Sequence, residues 1–321
     1  MFAVRGIAVS FSIFFLFYSV LSVAVCGLWR RVWLGGQRHS ARRCADLLFA
    51  LRMGPFVVAA GITLALAVPS FLLLEPRAVN EPMGSVPVAL GVCGMTVMLA
   101  GMGKAATALV RASRTVARWS SQARLIGAST MDFPNSVSVL WISAAAPPLT
   151  AAGILRPSVW LSRAAELVLT ERELRSALRH EVVHLRRRDN LRKLILRLVA
   201  FPGMAELESA WREATEMAAD DAAVSSASEA LDLAAAVIKL SRLAPLSLPA
   251  ELATALVHSP AESVNARVQR LIAWTEHRQS LAPRHSLGYA LCAAVAVMST
   301  LAVTYSELLV RVHAATEWLV R

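Results

Sequence analysis

Residues 180–184 read His-Glu-Val-Val-His, a spacing that has a chemical meaning on a helix. Four residues apart, His180 and His184 project from nearly the same face, so both imidazoles can reach one ion. Glu181 lies between them, placed to take a proton from water on the ion's open position. Zinc uses such a set, two imidazoles with a glutamate as general base, to hydrolyse peptide bonds. It lowers the bound water's pKa towards about 7 and polarises the scissile carbonyl. The alternative for two such histidines is a surface pair on an amphipathic helix.

A catalytic zinc needs a third protein ligand. Glu216 and Asp220, in "EMAAD", are one turn apart and share a face of a later predicted helix. Glu216 suits the third ligand position, and Asp220 suits an acceptor for a ligating histidine's other ring nitrogen. Glu213, one turn earlier, is the rival to Glu216. The chain between His184 and Glu216 leaves room for a helix end, a turn and an antiparallel return. For the oxyanion, Tyr18, Tyr289 and Tyr305 all lie in apolar segments, which leaves Arg267 and His258 as candidate stabilisers. Arg267 has a structural alternative in the last helix of the domain. Arg186, Arg187 and Arg188 read as a solvated or lipid-facing basic patch rather than a substrate reader.

The elements that must position these residues can be read locally. "TERE" at 170–173 is a capping box, with Thr170 as cap and Glu173 answering it. The helix it opens is predicted to run through the motif to about Arg188. "PG" at 202–203 breaks the chain before "MAELESAWREATEMAADDAAV", and "SPAE" at 259–262 opens "SVNARVQRLIAW". "NSVSVLWIS" and "PSVWLS" have strand character, and "AAAPPLTAAGILRP" reads as their connection. Segment 104–285 is therefore expected to be one α+β domain.

The rest of the chain is built for lipid. Its 321 residues are 56% hydrophobic and 17% charged, against roughly 25% charged for soluble domains, and mean hydropathy is +0.53. Four apolar stretches, at about 6–29, 54–74, 86–103 and 287–305, can each span a bilayer. The first is too long for a signal-peptide core and lacks a small-x-small cleavage site. The net charge of +11 fits arginines gathered beside the spans, and no direct nucleic-acid binding is expected. Loop "RRVWLGGQRHSARRC" is basic and "EPRAVNEPMG" acidic. The expectation is therefore a multi-pass protein of the inner (plasma) membrane, N-terminus outside, with 104–285 cytoplasmic. The four cysteines, Cys26, Cys44, Cys93 and Cys292, form no Cys-x-x-Cys pair and indicate neither a thiolate metal site nor a disulfide framework.

With "PPLTAAGILRPSVWLS", "LRHEVVHLRRRDN", "REATEMAADDAAV" and "NARVQRLI" in that order, the chain resembles the BlaR/MecR-type antirepressor membrane metallopeptidases. The resemblance covers nearly the whole chain, including three spans before the domain and one after it. It implies a zincin-like α+β domain inserted between the third and fourth spans. It further implies one zinc ion per chain on His180, His184 and Glu216, with Glu181 as base and Asp220 in support. The implied activity is cleavage of a regulatory protein, a winged-helix repressor, in signal transduction. HtpX-like quality-control proteases share the first two motifs and are the nearest competitor. The β-lactam receptors of the family carry a penicillin-binding sensor after the last span. Here about fifteen residues follow residue 305, too few for a folded sensor, so the expectation is a protease module answering to a separate sensor partner or to its own spans. A non-catalytic membrane signalling or scaffold protein is the third reading, against which the intact five-residue set weighs. An intramembrane protease is disfavoured because Arg179 and Arg186 to Arg188 flank the motif, and charge at membrane depth is costly.

Overall fold

Three of the apolar runs form rods of spanning length. Helix α1 covers Phe2–Gly36 and α2 covers Ala41–Ile62. One π-helical turn, Thr63–Ala67, joins α2 to α3, Val68–Leu74. Helix α4 covers Ser85–Ser120. The helical stretches Phe2–Arg31, Ala41–Leu74 and Ser85–Ser120 are long and apolar enough to cross a membrane. The computed structural model describes residues 2–36, 40–76, 84–121, 124–125, 139–142, 147–243, 253–255, 261–274 and 305–316. The expected fourth span, 287–305, lies outside the described residues except for Tyr305, which opens a helix over 305–316. That helix lies against the π turn and α3: the Tyr305 hydroxyl donates to the Ala65 carbonyl (2.8 Å), and Ser70 Oγ donates to the Leu309 carbonyl (3.1 Å).

Two of these rods outrun their apolar segments, and the extensions hold the rest of the molecule. The α2 rod starts at Ala41, well before the apolar run at 54, and α4 continues unbroken through the expected boundary at 103–104. Trp119, near the end of α4, packs on Trp160 of the sheet with ring centroids 5.6 Å apart.

The sheet is small. Its strands are β1 (Arg124–Leu125), β2 (Val139–Ile142), β3 (Leu149–Ala152), β4 (Ser158–Ser162) and β5 (Ala253–Ala255), in the order β1-β2-β4-β3-β5. β2 and β4 run parallel, while β3 is antiparallel to both β4 and β5. Strand β3 corrects the sequence reading, which treated this stretch as a connection. Leu149, Thr150, Ala151 and Ala152 are all buried, so the strand shows no polar alternation to betray it.

Among the described residues the helices after β4 and before residue 305 are α5 (Arg163–Val168), α6 (Glu171–Arg187), α7 (Asp189–Leu198), α8 (Ala205–Ala223), α9 (Ala227–Leu243) and α10 (Ala261–Ile272). The expected capping box opens α6: Thr170 N–H donates to Glu173 Oε2 (2.8 Å), and Glu173 N–H donates to Thr170 Oγ1 (3.4 Å). The helix ends where expected, at Arg188, which takes a left-handed conformation (φ 54°). Helix α7, absent from the sequence reading, begins at the next residue. At Pro202–Gly203 the anticipated break is present, with Gly203 at φ +85°, a region that glycine enters without a Cβ penalty.

Two apolar cores fix these helices. Leu178 of α6, Leu233 and Val237 of α9 and Leu161 of β4 meet in one, and all are fully buried. In the other, Trp211 and Leu207 of α8 pack on Ala45 and Leu48 of α2. Helix α6 is thus seated in the domain's own core, whereas α8 is seated on α2, one of the helices of spanning length.

Candidate metal centre

Helix α6 presents His180, Glu181 and His184 to the interior, where all three are buried. Helix α8 brings Glu216 opposite them. His180 Nε2 lies 3.1 Å from His184 Nε2. Glu216 Oε2 is 3.5 Å from His180 Nε2, and Glu216 Oε1 is 3.6 Å from His184 Nε2. A tetrahedral zinc with bonds of about 2.0–2.1 Å separates its ligand atoms by roughly 3.3 Å. The triangle therefore has the dimensions of three corners of such a site. Glu213, the rival ligand, is not in the cluster; its charge acts on Cys44 of α2.

Each histidine is turned by a carboxylate on its other nitrogen. His180 Nδ1 is 3.0 Å from Asp220 Oδ1, and His184 Nδ1 is 2.7 Å from Asp189 Oδ2. The Nδ1–H of His184 donates to Asp189, and Nδ1 of His180 lies within ion-pair reach of Asp220, which leaves both Nε2 atoms facing the triangle. Asp220 thus stands where the sequence places it. Asp189 was missed. On a continuous helix it would sit about 140° around from His184, five residues on at 100° each. The left-handed Arg188 breaks the helix and swings Asp189 back under His184. Its only sequence signal is its place at the end of the basic run. Asn190 follows suit, its amide donating to the carbonyls of Ala151 (3.1 Å) and Gly153 (3.3 Å), which ties α7 to β3.

Arg267 of α10 is buried behind the acids. Its Nε and Nη2 donate to Asp220 Oδ2 and Oδ1 (2.8 and 2.7 Å), and Nη1 lies 3.1 Å from Glu216 Oε2. All three nitrogens are directed at carboxylates, so the structure puts this residue where it orients the acids instead of at an oxyanion. His258, the other candidate, lies outside the described residues.

The charge states follow from these contacts. Burial opposes charge on the His180 ring, but hydrogen bonds with Asp220 and Glu216 outweigh it and lift its pKa to about 9. Burial also opposes the Glu216 carboxylate, yet His184, His180 and Arg267 bring it down to about 2. Asp220 is held below the usual carboxylate range in the same way, against its burial, by Arg267 and His180. Burial depresses His184 and Lys193. Glu181 moves the other way: burial pushes it up to about 8, with Glu216 adding to the rise and His180 resisting it. One of its oxygens accepts from Ala151 N–H (2.8 Å), and the other, Oε1, is buried without a hydrogen-bond partner among the described residues.

These groups fit a divalent ion. Four carboxylates converge here, those of Glu181, Glu216, Asp220 and Asp189. The cations among them are Arg267 and Lys193, while Arg187 is shared between Asp189 and the half-buried Asp46. With all four acids ionised and the imidazoles neutral, the acids outnumber these cations, an excess that is expensive when buried. Protons on His180 and Glu181 offset it in the metal-free fold, and a divalent cation would offset it in their place. Two imidazoles and a carboxylate form a donor set that suits zinc.

No protein-family model matches the chain, and no curated protein sequence matches it.

Proposed function

We propose that the chain is a membrane-anchored, zinc-dependent metalloendopeptidase whose site faces the cytoplasm. The observation that carries this reading is the triangle of His180, His184 and Glu216, with Glu181 buried next to His180 on α6 and its Oε1 without a hydrogen-bond partner among the described residues. His180, His184 and Glu216 would hold the ion, in a zincin-like arrangement. When bound, zinc would acidify a water molecule and polarise a peptide carbonyl.

The chain's own residues supply the rest. Ala151 N–H holds Glu181 Oε2 and so fixes the plane of the carboxylate. Its free Oε1 is left to accept a proton from water and deliver it to the departing amine. Asp220 and Asp189 keep the histidines in the tautomer that points Nε2 inward, and Arg267 braces Asp220 and Glu216 together. The substrate class is a regulatory protein, with a winged-helix repressor as the substrate the family resemblance implies; a separate sensor would be its activating partner.

Glu181→Gln tests the assignment. The variant is expected to keep the metal and lose peptide-bond cleavage, since glutamine matches the shape without a basic oxygen. Undiminished cleavage by the purified variant would overturn the role given to Glu181. Broad digestion of unfolded membrane proteins by the wild type, with no preferred site, would instead favour a quality-control protease.

A further inference from the structure

The turn that joins α7 to α8 is gripped by one residue from each of the three membrane helices. Its backbone carbonyls belong to the C-terminal end of α7, where a helix leaves acceptors unpaired and carries partial negative charge. The Leu198 carbonyl lies against Gly101 of α4 so closely that a Cβ there would stand 2.0 Å from its oxygen. The Val199 carbonyl accepts from Nη2 of Arg52 on α2. The Ala200 carbonyl accepts from the Tyr18 hydroxyl of α1 (3.2 Å), and Phe201 rests edge-on against the same tyrosine, with centroids 5.3 Å apart.

Arg52 is the unusual member. It is 3% exposed, it makes no ion pair with any described acid, and its Nε and Nη1 have no hydrogen-bond partner among the described residues. What the structure sets against this buried cation is the carbonyl end of α7, with the Tyr18 hydroxyl beside it. If the turn withdrew, a bare guanidinium would remain in an apolar bundle, so the contact resists displacement.

Both ends of this turn lead to the metal centre. Helix α7 starts with Asp189, which orients His184, and α8 carries Glu216 and Asp220. The two histidines, by contrast, ride on α6 in the domain's own core. We propose that Arg52 is a positioning residue for the metal centre. It acts through the Val199 carbonyl to set Asp189 and Glu216 against the histidine pair, and so makes metal affinity depend on how α1, α2 and α4 pack. The inference rests on reading the triangle as a zinc site.

Zinc affinity decides it, measured by chelator competition on the full-length protein in lipid nanodiscs. Wild type binds one zinc; no binding there would remove the metal reading itself. Arg52→Gln is expected to weaken zinc binding about tenfold, the lower end of the range for groups that orient metal ligands. Arg52→Lys keeps a cation at the carbonyls and is expected to stay within about threefold of wild type, a rescue that a merely space-filling role would not produce. Tyr18→Phe removes only an oxygen and should cost about threefold to fivefold, the worth of one hydrogen bond; it carries the test if Arg52→Gln does not fold. Wild-type affinity in Arg52→Gln, or in Tyr18→Phe standing in for it, overturns the proposal. So does an Arg52→Lys protein as weak as Arg52→Gln.

Discussion

Replacing Asp189 by alanine probes the group that the fold brings to the metal centre most unexpectedly. Its carboxylate is fully buried and lies 2.7 Å from His184 Nδ1. Alanine would leave that ring nitrogen buried with no acceptor and free the imidazole to rotate or change tautomer. Loss of such a ligand-orienting partner typically weakens metal binding about 10- to 100-fold, or about 1.4–2.8 kcal/mol. The upper half of that range applies here, because the contact is short and both partners are buried. Asp189→Asn keeps an acceptor oxygen but loses the charge, and should fall near the lower end. Chelator competition with zinc on the purified full-length variants gives both numbers. Melting in the presence of EDTA separates a metal effect from a general loss of fold, since Asp189 also opens α7. If Asp189→Ala binds zinc within about twofold of wild type, the histidine is oriented by something else and the account of this centre is wrong.

Acidity should act on metal-free and metal-loaded protein in opposite ways. His180 is raised from 6.5 to about 9 and Glu181 from 4.5 to about 8 in the metal-free fold. Each therefore contributes stability that is complete below its unfolded value and is lost as pH rises through its folded one. The EDTA-treated protein is expected to melt progressively lower as pH rises from about 4.5 to 9, most steeply between 6.5 and 8, where both groups contribute. Zinc binding should strengthen over the same interval, because the ion displaces the His180 proton; a flat zinc affinity there would contradict the assignment. Arg267→Met leaves Asp220 and Glu216 buried without their cation and should cost about 3–5 kcal/mol of metal-free stability, part of which zinc restores; thermal melting with and without the ion tests this. Leu233→Ala, in the core behind α6, should cost about 2–5 kcal/mol while leaving zinc stoichiometry unchanged.

Local rules account for what the amino-acid sequence determined by itself. Three of the spans follow from run length, because a bilayer sets how many apolar residues a helix must have. The pairing of His180 with His184 follows from 3.6 residues per turn, and the start of α6 follows from a capping box that needs only neighbouring residues. The same periodicity placed Glu216 and Asp220 on one face, yet it could not choose between Glu213 and Glu216. That choice depends on the angle at which α8 lies on α2, which is decided by Trp211 and Leu207 meeting Ala45 and Leu48. Asp189 needed one residue, Arg188, to adopt a left-handed backbone, which its side chain does not advertise. β3 escaped notice because burial on both faces erases alternation, and the partners of Arg52 lie well over a hundred residues away. What repeats along a helix or fills a membrane was legible in the chain. What depends on which distant surfaces meet, and on the few backbone angles that let them meet, had to await the fold.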